Sequence, residues 1–181
     1  MIGIMLKVLS QHLSALESTP ISLESGQTLF LRDDAVQNVF LVVSGEVHLL
    51  RHQLDGASLI LQRAVPGDIL AEASLFSDHY HCDAIAVAKT HLNSFRVSSV
   101  RDLFSRSNEF AEVLAVYLAR EVQNTRARAE ILSLKTVSQR LKAWLAWNND
   151  RLPPKGQRKT LAIEIGVSPE ALYREIAKGR E

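Results

Sequence analysis

The sequence predicts an α+β fold, in which a β-rich N-terminal part is followed by a long helix and a small helical C-terminal part. From Ile21 to Val97, short β-type runs alternate with turn residues at intervals of roughly 8 to 12 residues. From Ser98 to Leu134 the chain contains neither Pro nor Gly. After Leu134, two short helical patterns are separated by a tight turn.

These changes of pattern divide the chain into a sensor-like part over 1–98, a long helix over 99–135 and a helical part over 136–181. The composition, 46% hydrophobic and 23% charged over 181 residues, is ordinary for a globular protein. The apolar start, Met1 to Leu9, lacks a leading cation and a cleavage pattern, and no run approaches 18 apolar residues. We therefore expect a cytoplasmic protein with no membrane partner. Its single cysteine, Cys82, excludes an internal disulfide.

The first hundred residues carry β-type runs bounded by turn residues. The predicted strands are Thr28–Arg32, Val39–Ser44, Glu46–Leu50, Ser58–Val65, Cys82–Val87 and Leu92–Val97. Asp55-Gly56 between alternating hydrophobic residues predicts a hairpin. Gly45 predicts a turn or bulge at which a side chain would clash. This rhythm is typical of an all-β sandwich or barrel.

The long helix has two apolar stripes. The first recurs at alternating steps of four and three, a heptad seam of the kind that pairs two helices; it comprises Ala111, Ala115, Leu118, Val122, Thr125, Ala129 and Leu132. The second stripe, Phe110, Val113, Leu114 and Tyr117, predicts packing against the same chain. Both stripes could instead be the core of a monomer. The length, about 50 Å at about 1.5 Å per residue, favours a homodimer.

The C-terminal part predicts a helix-turn-helix. Lys159–Ile165 forms the first helix, Gly166–Ser168 the turn and Pro169–Ala177 the second helix. Ser168 is a favourable N-cap and Pro169 a favourable first helical residue. Ala162 and Gly166 are small enough for the two helices to approach closely. Leu161, Ile165, Leu172 and Ile176 are apolar and are predicted to face the core. Residues 136–181 include nine Lys and Arg but only five Asp and Glu. This excess of positive charge suits double-stranded DNA as a partner.

The order of motifs resembles a known family. The run Val-Phe-Leu-Val-Val-Ser-Gly-Glu-Val over 39–47, then Pro66-Gly67-Asp68 and Glu72, is similar to the cyclic-nucleotide-binding jelly roll of the cyclic-AMP receptor protein and its oxygen-sensing relatives, the CRP/FNR family. The resemblance covers nearly the whole chain. It implies a jelly roll, a dimerisation helix and a helix-turn-helix in a homodimeric, effector-responsive DNA-binding transcription regulator, not an enzyme.

The resemblance also implies an effector pocket. Glu72 matches the ribose-holding acid, but Ala71 replaces the preceding Gly, Cys82 the phosphate-binding Arg and Asp83 the following Ser or Thr. The lost guanidinium and the added carboxylate predict no response to cyclic AMP. Thr125 stands where family members let the partner chain touch the effector, although a polar residue in a seam can also simply set its register.

A haem-based gas or redox sensor of the same family is an alternative. His79, His81 and Cys82 lie within four residues and are possible haem or metal ligands. His79 also falls close to the axial histidine of carbon-monoxide-sensing haem regulators in this family. A solvated loop without a ligand, an unknown small effector and redox chemistry at Cys82 remain open. A metal-dependent jelly-roll enzyme would need a further Glu and His at spacings that this sequence lacks.

The resemblance assigns base contacts to the second helix of the helix-turn-helix. Glu170 and Arg174 match the family's base-reading pair, in which Glu accepts from cytosine and Arg binds guanine. The alternative is an exposed ion pair between these two residues. The candidate phosphate contacts are Ser168, Lys178, Arg158 and Lys159. Pro169 stands where many members have another base-reading Arg.

The chain ends at Glu181, where the family normally continues into a β-hairpin wing. We therefore expect a DNA-binding domain that lacks the wing and makes fewer phosphate contacts. A dimeric protein-interaction module that has lost DNA binding is the alternative from another class.

Overall fold

The computed structural model describes residues 2–52 and 58–178. The chain forms two compact units, one up to Leu118 and the other from Ala119 onwards. The predicted Asp55-Gly56 hairpin turn lies outside the described residues. Within the described ranges, no helix combines the length and apolar character needed to cross a membrane.

The first unit is mainly β-structure. Its strands are β1 (Thr19–Leu23), β2 (Thr28–Phe30), β3 (Asn38–Ser44), β4 (Val47–His52), β5 (Ser58–Ala64), β6 (Ile69–Leu70), β7 (Asp83–Ala86) and β8 (Thr90–Arg96). Helix α1 (Ile2–Ser14) precedes them, a 3₁₀ turn spans Glu72–Ser74, and α2 (Val97–Arg106) and α3 (Asn108–Ser133) follow. Every predicted strand is confirmed, whereas α1, β1 and β6 were not predicted.

The strands form a sandwich of two antiparallel four-stranded sheets. Their orders are β1-β8-β3-β6 and β2-β7-β4-β5. Alternate residues point between the sheets, where the core includes Phe30, Phe40, Val42, Val47, Leu49, Tyr80, Cys82 and Ala84. The predicted α+β fold with an N-terminal β-sandwich is therefore confirmed.

A second core lies between the sandwich and the helices of the same unit. Leu9 and Leu13 of α1 pack there with Phe95 and Val100. The second stripe of α3 joins them, because Phe110, Leu114 and Tyr117 are buried and Val113 is partly buried. The prediction that this stripe packs on its own chain is confirmed.

The prediction of one uninterrupted helix from Ser98 to Leu134 is wrong at Ser107. This residue is extended, with φ −119° and ψ 103°, and separates α2 from α3. Its hydroxyl accepts the backbone N–H of Phe110 at 3.2 Å. Because serine side chains satisfy the free N–H groups of a first helical turn, Ser107 begins a new helix here.

The second unit contains the end of α3 followed by α4 (Val137–Trp147), a 3₁₀ turn (Lys155–Gln157), α5 (Arg158–Glu164) and α6 (Pro169–Lys178). Thr136 caps α4 through a reciprocal pair of hydrogen bonds with Gln139. The predicted core residues of the helix-turn-helix are all buried: Leu161, Ala162, Ile165, Leu172 and Ile176.

Gly45 lies where a side chain would clash, as predicted. Its φ is +88°, and a Cβ atom would overlap the carbonyl oxygen of Lys89 and the side chain and Cα of Thr90. Gly26 has nearly the same φ, +86°, but open space around it. The two glycines therefore separate the cost of a left-handed backbone from the cost of the clash.

We expect Gly45→Ala to lower the free energy of unfolding by about 3 kcal/mol, since the left-handed backbone costs about 1 kcal/mol and overpacking about 2 kcal/mol. Gly26→Ala should lower it by only the cost of the left-handed backbone, about 1 kcal/mol. Urea denaturation followed by far-UV circular dichroism measures both variants. Equal losses in the two variants would show that the contacts at Lys89 and Thr90 are not restrictive.

Candidate functional site

The acid that the resemblance assigns to effector binding lies at the start of the 3₁₀ turn. Glu72 is buried, with 9% of its surface exposed. Ala71 before it has φ 66° and ψ 12°, a left-handed conformation that favours glycine. The backbone therefore keeps the shape expected at this position, at a cost of about 1 kcal/mol for alanine.

Cys82 and Asp83 are buried on opposite faces of the sheet. Cys82 points into the sandwich core and is 1% exposed. Asp83 accepts the backbone N–H of Arg32 through Oδ1 at 2.7 Å, and its Oδ2 lies 3.6 Å from His52 Nε2. Successive residues of a strand alternate between faces, so the carboxylate of Asp83 is directed away from the core-facing thiol.

Arg51 is a candidate residue that the sequence analysis did not identify. Strand β4 pairs antiparallel with β7, with Leu50 opposite Asp83, and one further step places Arg51 opposite Cys82. Its Nη2 donates to the carbonyl oxygen of His81 at 2.8 Å. Its Nε is buried and has no hydrogen-bond acceptor among the described residues. The inward alternation of Val47 and Leu49 was the signal for an arginine on the core face.

Burial and charge fix the protonation of this region. Burial, followed by the charges of Glu72 and Asp83, raises the pKa of the Cys82 thiol from 9.0 to about 11, while Arg51 acts in the opposite direction. Burial also lowers the pKa of His81, and the charge of Arg51 adds to this effect. At neutral pH the region therefore holds a protonated thiol and a neutral imidazole.

The predicted metal ligands do not come together. His79 is exposed and forms an isolated antiparallel bridge with Ala35. His81 Nδ1 lies 3.1 Å from Ser74 Oγ, and Cys82 faces the core. Within residues 2–52 and 58–178, no three His, Cys, Asp or Glu side chains form a group that could hold a metal ion. Haem binding therefore rests on His79 alone and stays a prediction.

The heptad seam of α3 is largely exposed on the single chain. Val122 and Leu132 expose 47% and 38% of their surface, and Leu118 is half-buried. The remaining exposed members of the predicted interface are Ala115, Thr125 and Ala129. The seam is thus not core of the single chain, unlike the second stripe on the same helix.

Helix α6 presents the predicted base-reading pair. The hydroxyl of Ser168 accepts the backbone N–H of Ala171 at 3.2 Å, which confirms Ser168 as the N-cap. Glu170 and Arg174 are exposed. The pKa of Glu170 is lowered, chiefly by its own backbone N–H and the Ser168 hydroxyl, with smaller effects from Arg174 and Lys159. A carboxylate in this state can accept hydrogen bonds but not donate them.

The other charged candidates differ in what they contact. Lys159 is exposed, and Lys178 Nζ lies 3.5 Å from Glu175 Oε2. Arg158 is half-buried and donates from Nε to the carbonyl oxygen of Pro153 at 3.5 Å. Tyr173, which the sequence analysis missed, is 40% exposed on α6. Its position three residues after Glu170 was the available signal, because such positions share a helix face.

Arg140 joins the end of α3 to the turn of the helix-turn-helix. Its guanidinium donates to the carbonyl oxygens of Leu132 at 3.0 Å and Leu134 at 2.8 Å. It also donates to Ile165 at 3.1 Å and Gly166 at 2.8 Å. Gly166 has φ +65°, and a Cβ there would lie 2.8 Å from Leu132 Cδ2, so a side chain would disturb this junction.

A β-sandwich unit, a long helix with an exposed heptad seam and a helix-turn-helix follow one another along the chain, which is the element order of a class of transcription regulators. The family model described as "Cyclic nucleotide-binding domain" matches residues 20–107. The cyclic AMP receptor protein of Thermus thermophilus is 30% identical over 153 residues, 82% of this chain and 71% of that protein. The chain belongs to the CRP/FNR family of transcription regulators.

Further relatives agree with this placement. The nitrogen fixation regulation protein FixK of Bradyrhizobium diazoefficiens is 25% identical over 174 residues, 87% of this chain and 70% of that protein. The structure of FixK2 from Bradyrhizobium japonicum superposes with a TM-score of 0.70 at 22% identity, over 90% of this chain and 84% of that one. The superposition shows that the fold is shared.

We predict that the Cys82 thiol of the folded chain reacts slowly with iodoacetamide at pH 8, because the thiolate is the nucleophile and its pKa is about 11. The rate rises with pH up to that value and rises at once on unfolding in urea. Mass spectrometry measures the labelled fraction, with Ser77→Cys in a Cys82→Ser chain as the exposed control. Fast labelling of Cys82 in the folded chain at pH 7 would contradict its burial.

Proposed function

We propose that the chain is a homodimeric, effector-responsive DNA-binding transcription regulator that does not respond to cyclic AMP. The observation that carries this proposal is the exposed heptad seam of α3, which continues toward a helix-turn-helix with an outward Glu170 and Arg174. A seam of this kind is buried when two copies pair side by side. The alternative, a protein-interaction module without DNA binding, explains the seam but not the exposed pair on α6.

Dimerisation removes the seam from water. Burying apolar surface contributes about 25 cal/mol per Å², and Val122 and Leu132 expose a large share of theirs. Thr125 is the polar member of the seam, and a polar residue at such a position fixes the register of the pair. Two parallel α3 helices present two copies of α6, which suits a palindromic site with half-sites about 34 Å apart.

Helix α6 is the proposed recognition helix. Arg174 would bind guanine through two parallel N–H donors, and Glu170, as a carboxylate, would accept from the amino group of cytosine. Lys159, Lys178 and the Ser168 hydroxyl are proposed to contact phosphates and set the register. Arg158 would contribute the guanidinium nitrogens that Pro153 does not engage.

The first unit would supply the response. A ligand shifts a regulator between two states only through a difference in its affinity for them. The proposed states are two arrangements of the paired α3 helices. Tyr117 and Leu114, which are buried against the sandwich, connect the helix to the unit that would bind the ligand. Cys82 and Asp83 lack the donors that hold a cyclic phosphate in the family, which supports a signal other than cyclic AMP.

For DNA binding, we predict that Arg174→Ala weakens the affinity for the selected site by about 1–3 kcal/mol and relaxes the preference at one base pair. Duplexes selected from a random library are tested in gel shifts at several salt concentrations. Lys159→Ala should weaken all sequences alike and reduce the salt slope by about 1.

Arg151→Ala, which removes an exposed arginine outside α6, is the matched control and should bind as the unchanged chain does. If the selection enriches no sequence and binding does not weaken with salt, the DNA-binding proposal fails and the protein-interaction alternative is favoured.

A further inference from the structure

The residues that flank the heptad seam of α3 carry opposite charges at fixed places. With the seam residues Val122 and Thr125 taken as heptad positions a and d, Glu121 occupies position g and Arg126 position e. Positions e and g border the contact between two paired helices, and their charges set partner choice and orientation. The seam itself is apolar apart from Thr125, so it does not by itself distinguish one apolar helix from another.

Both charged side chains are accessible on the single chain. Arg126 is exposed and Glu121 is half-buried. The Glu121 carboxylate accepts a hydrogen bond from Asn124 Nδ2 of the same helix at 3.1 Å, which leaves its second oxygen for another donor. Within residues 2–52 and 58–178, Arg126 forms no ion pair, not even with Glu130 one turn later. The guanidinium therefore keeps its donors for a second chain.

Parallel pairing in register brings these two charges together. In a parallel pair of helices, position g of one helix lies beside position e of the other helix five residues further along the sequence. The step from Glu121 to Arg126 is five residues, so the carboxylate of one copy would lie beside the guanidinium of the second copy. The two-fold symmetry of a homodimer repeats the contact, which gives a pair of ion pairs across the seam.

An antiparallel pair would not make this contact. In that arrangement, position e of one helix faces position e of the other, and position g faces position g. The e positions nearest to Arg126 are Ala119 and Ser133, neither of which is acidic. The charge of Arg126 therefore distinguishes the parallel from the antiparallel arrangement.

We propose that Glu121 and Arg126 select the partner of α3. They favour a second copy of this chain, in parallel register, over a helix that has a similar apolar seam but lacks the opposite charges at these two positions. The inference rests on the proposed homodimeric function and adds the residues that decide which chain pairs. A carboxylate and a guanidinium attract each other at these positions, whereas like charges repel.

Two single charge reversals in the full chain test the pair. Glu121→Arg would place arginine beside arginine in the homodimer, and Arg126→Glu would place glutamate beside glutamate. We expect the dissociation constant of each homodimer to rise at least about tenfold, because attraction becomes repulsion at both symmetric contacts. Sedimentation velocity over a series of concentrations measures this constant. The rise should shrink at high salt, because exposed charges are screened.

Mixing the two single variants gives the sharpest comparison. A chain with Glu121→Arg and a chain with Arg126→Glu each repel their own copies but offer each other opposite charges at both contacts. Native mass spectrometry, with one chain isotopically labelled, should show the heterodimer in excess over a random mixture. The double variant Glu121→Arg/Arg126→Glu restores complementary charges within one chain, and its homodimer should be about as tight as that of the unchanged chain.

Gln123→Arg and Gln123→Glu are the matched controls, because Gln123 is exposed at position b, outside the seam of the same helix. Both should leave the dissociation constant unchanged, and far-UV circular dichroism checks the fold of every variant. Unchanged homodimers in both reversals, or no excess of heterodimer on mixing, would overturn the proposal. Weakening by Glu121→Arg without any effect of Arg126→Glu would indicate antiparallel pairing and would overturn it as well.

The same experiments separate this inference from the proposed function. If the unchanged chain dimerises but the reversals have no effect, the homodimer stands and the selecting pair is wrong. If the unchanged chain stays monomeric at every concentration, both fail. If the reversals behave as expected while gel shifts detect no DNA binding, the selecting pair stands and the regulator function fails.

Discussion

The constraint on which the rest of the account depends is the two-sided apolar character of α3. One stripe, with Phe110, Leu114 and Tyr117, is buried against the sandwich of its own chain. The other keeps Val122 and Leu132 partly in water. Both residues belong to the heptad seam, a spacing typical of helices that pair. Because its spacing is a heptad, the proposed partner is a second copy of the same helix.

Arg140 connects this helix to the helix-turn-helix within the second unit. Carbonyls at the end of α3 and in the turn after α5 need partners outside their own helices, and Arg140 donates to both sets with one guanidinium. Hydrogen bonds to a charged group contribute about 1.5–3 kcal/mol. A shift in the end of α3 must therefore move the turn before α6 or break these bonds. In the proposed dimeric regulator, such a junction would pass a change in the paired α3 helices on to α6.

The sequence predicted the features that depend on local pattern. Turn residues and the alternation of apolar and polar residues predicted the strands. Ser168 as N-cap and Pro169 as first helical residue predicted the start of α6. Strand β6 has two residues, too few to show a period. Ser107 interrupts a pattern that reads as continuous, because capping at an internal serine is decided by how the flanking helices pack.

The candidate site was less accessible from the sequence. The position of Arg51 beside Cys82 depends on the pairing of β4 with β7, which are distant in the chain. Likewise, His79, His81 and Cys82 are close in sequence but have different surroundings: His79 forms a bridge with Ala35, His81 Nδ1 lies near Ser74 Oγ, and Cys82 faces the core. The spacing of potential ligands therefore suggested a metal site that the backbone direction does not form.

The most direct test of the account is disulfide cross-linking of the seam. Ala129→Cys in a Cys82→Ser chain places the only thiol on the proposed dimer axis, and Gln123→Cys in the same chain places it on the outward face of α3. Under mild oxidation, the account predicts rapid formation of a covalent dimer from Ala129→Cys and little from Gln123→Cys, measured by non-reducing electrophoresis. Equal or slower cross-linking of Ala129→Cys would show that α3 does not pair two copies of the chain.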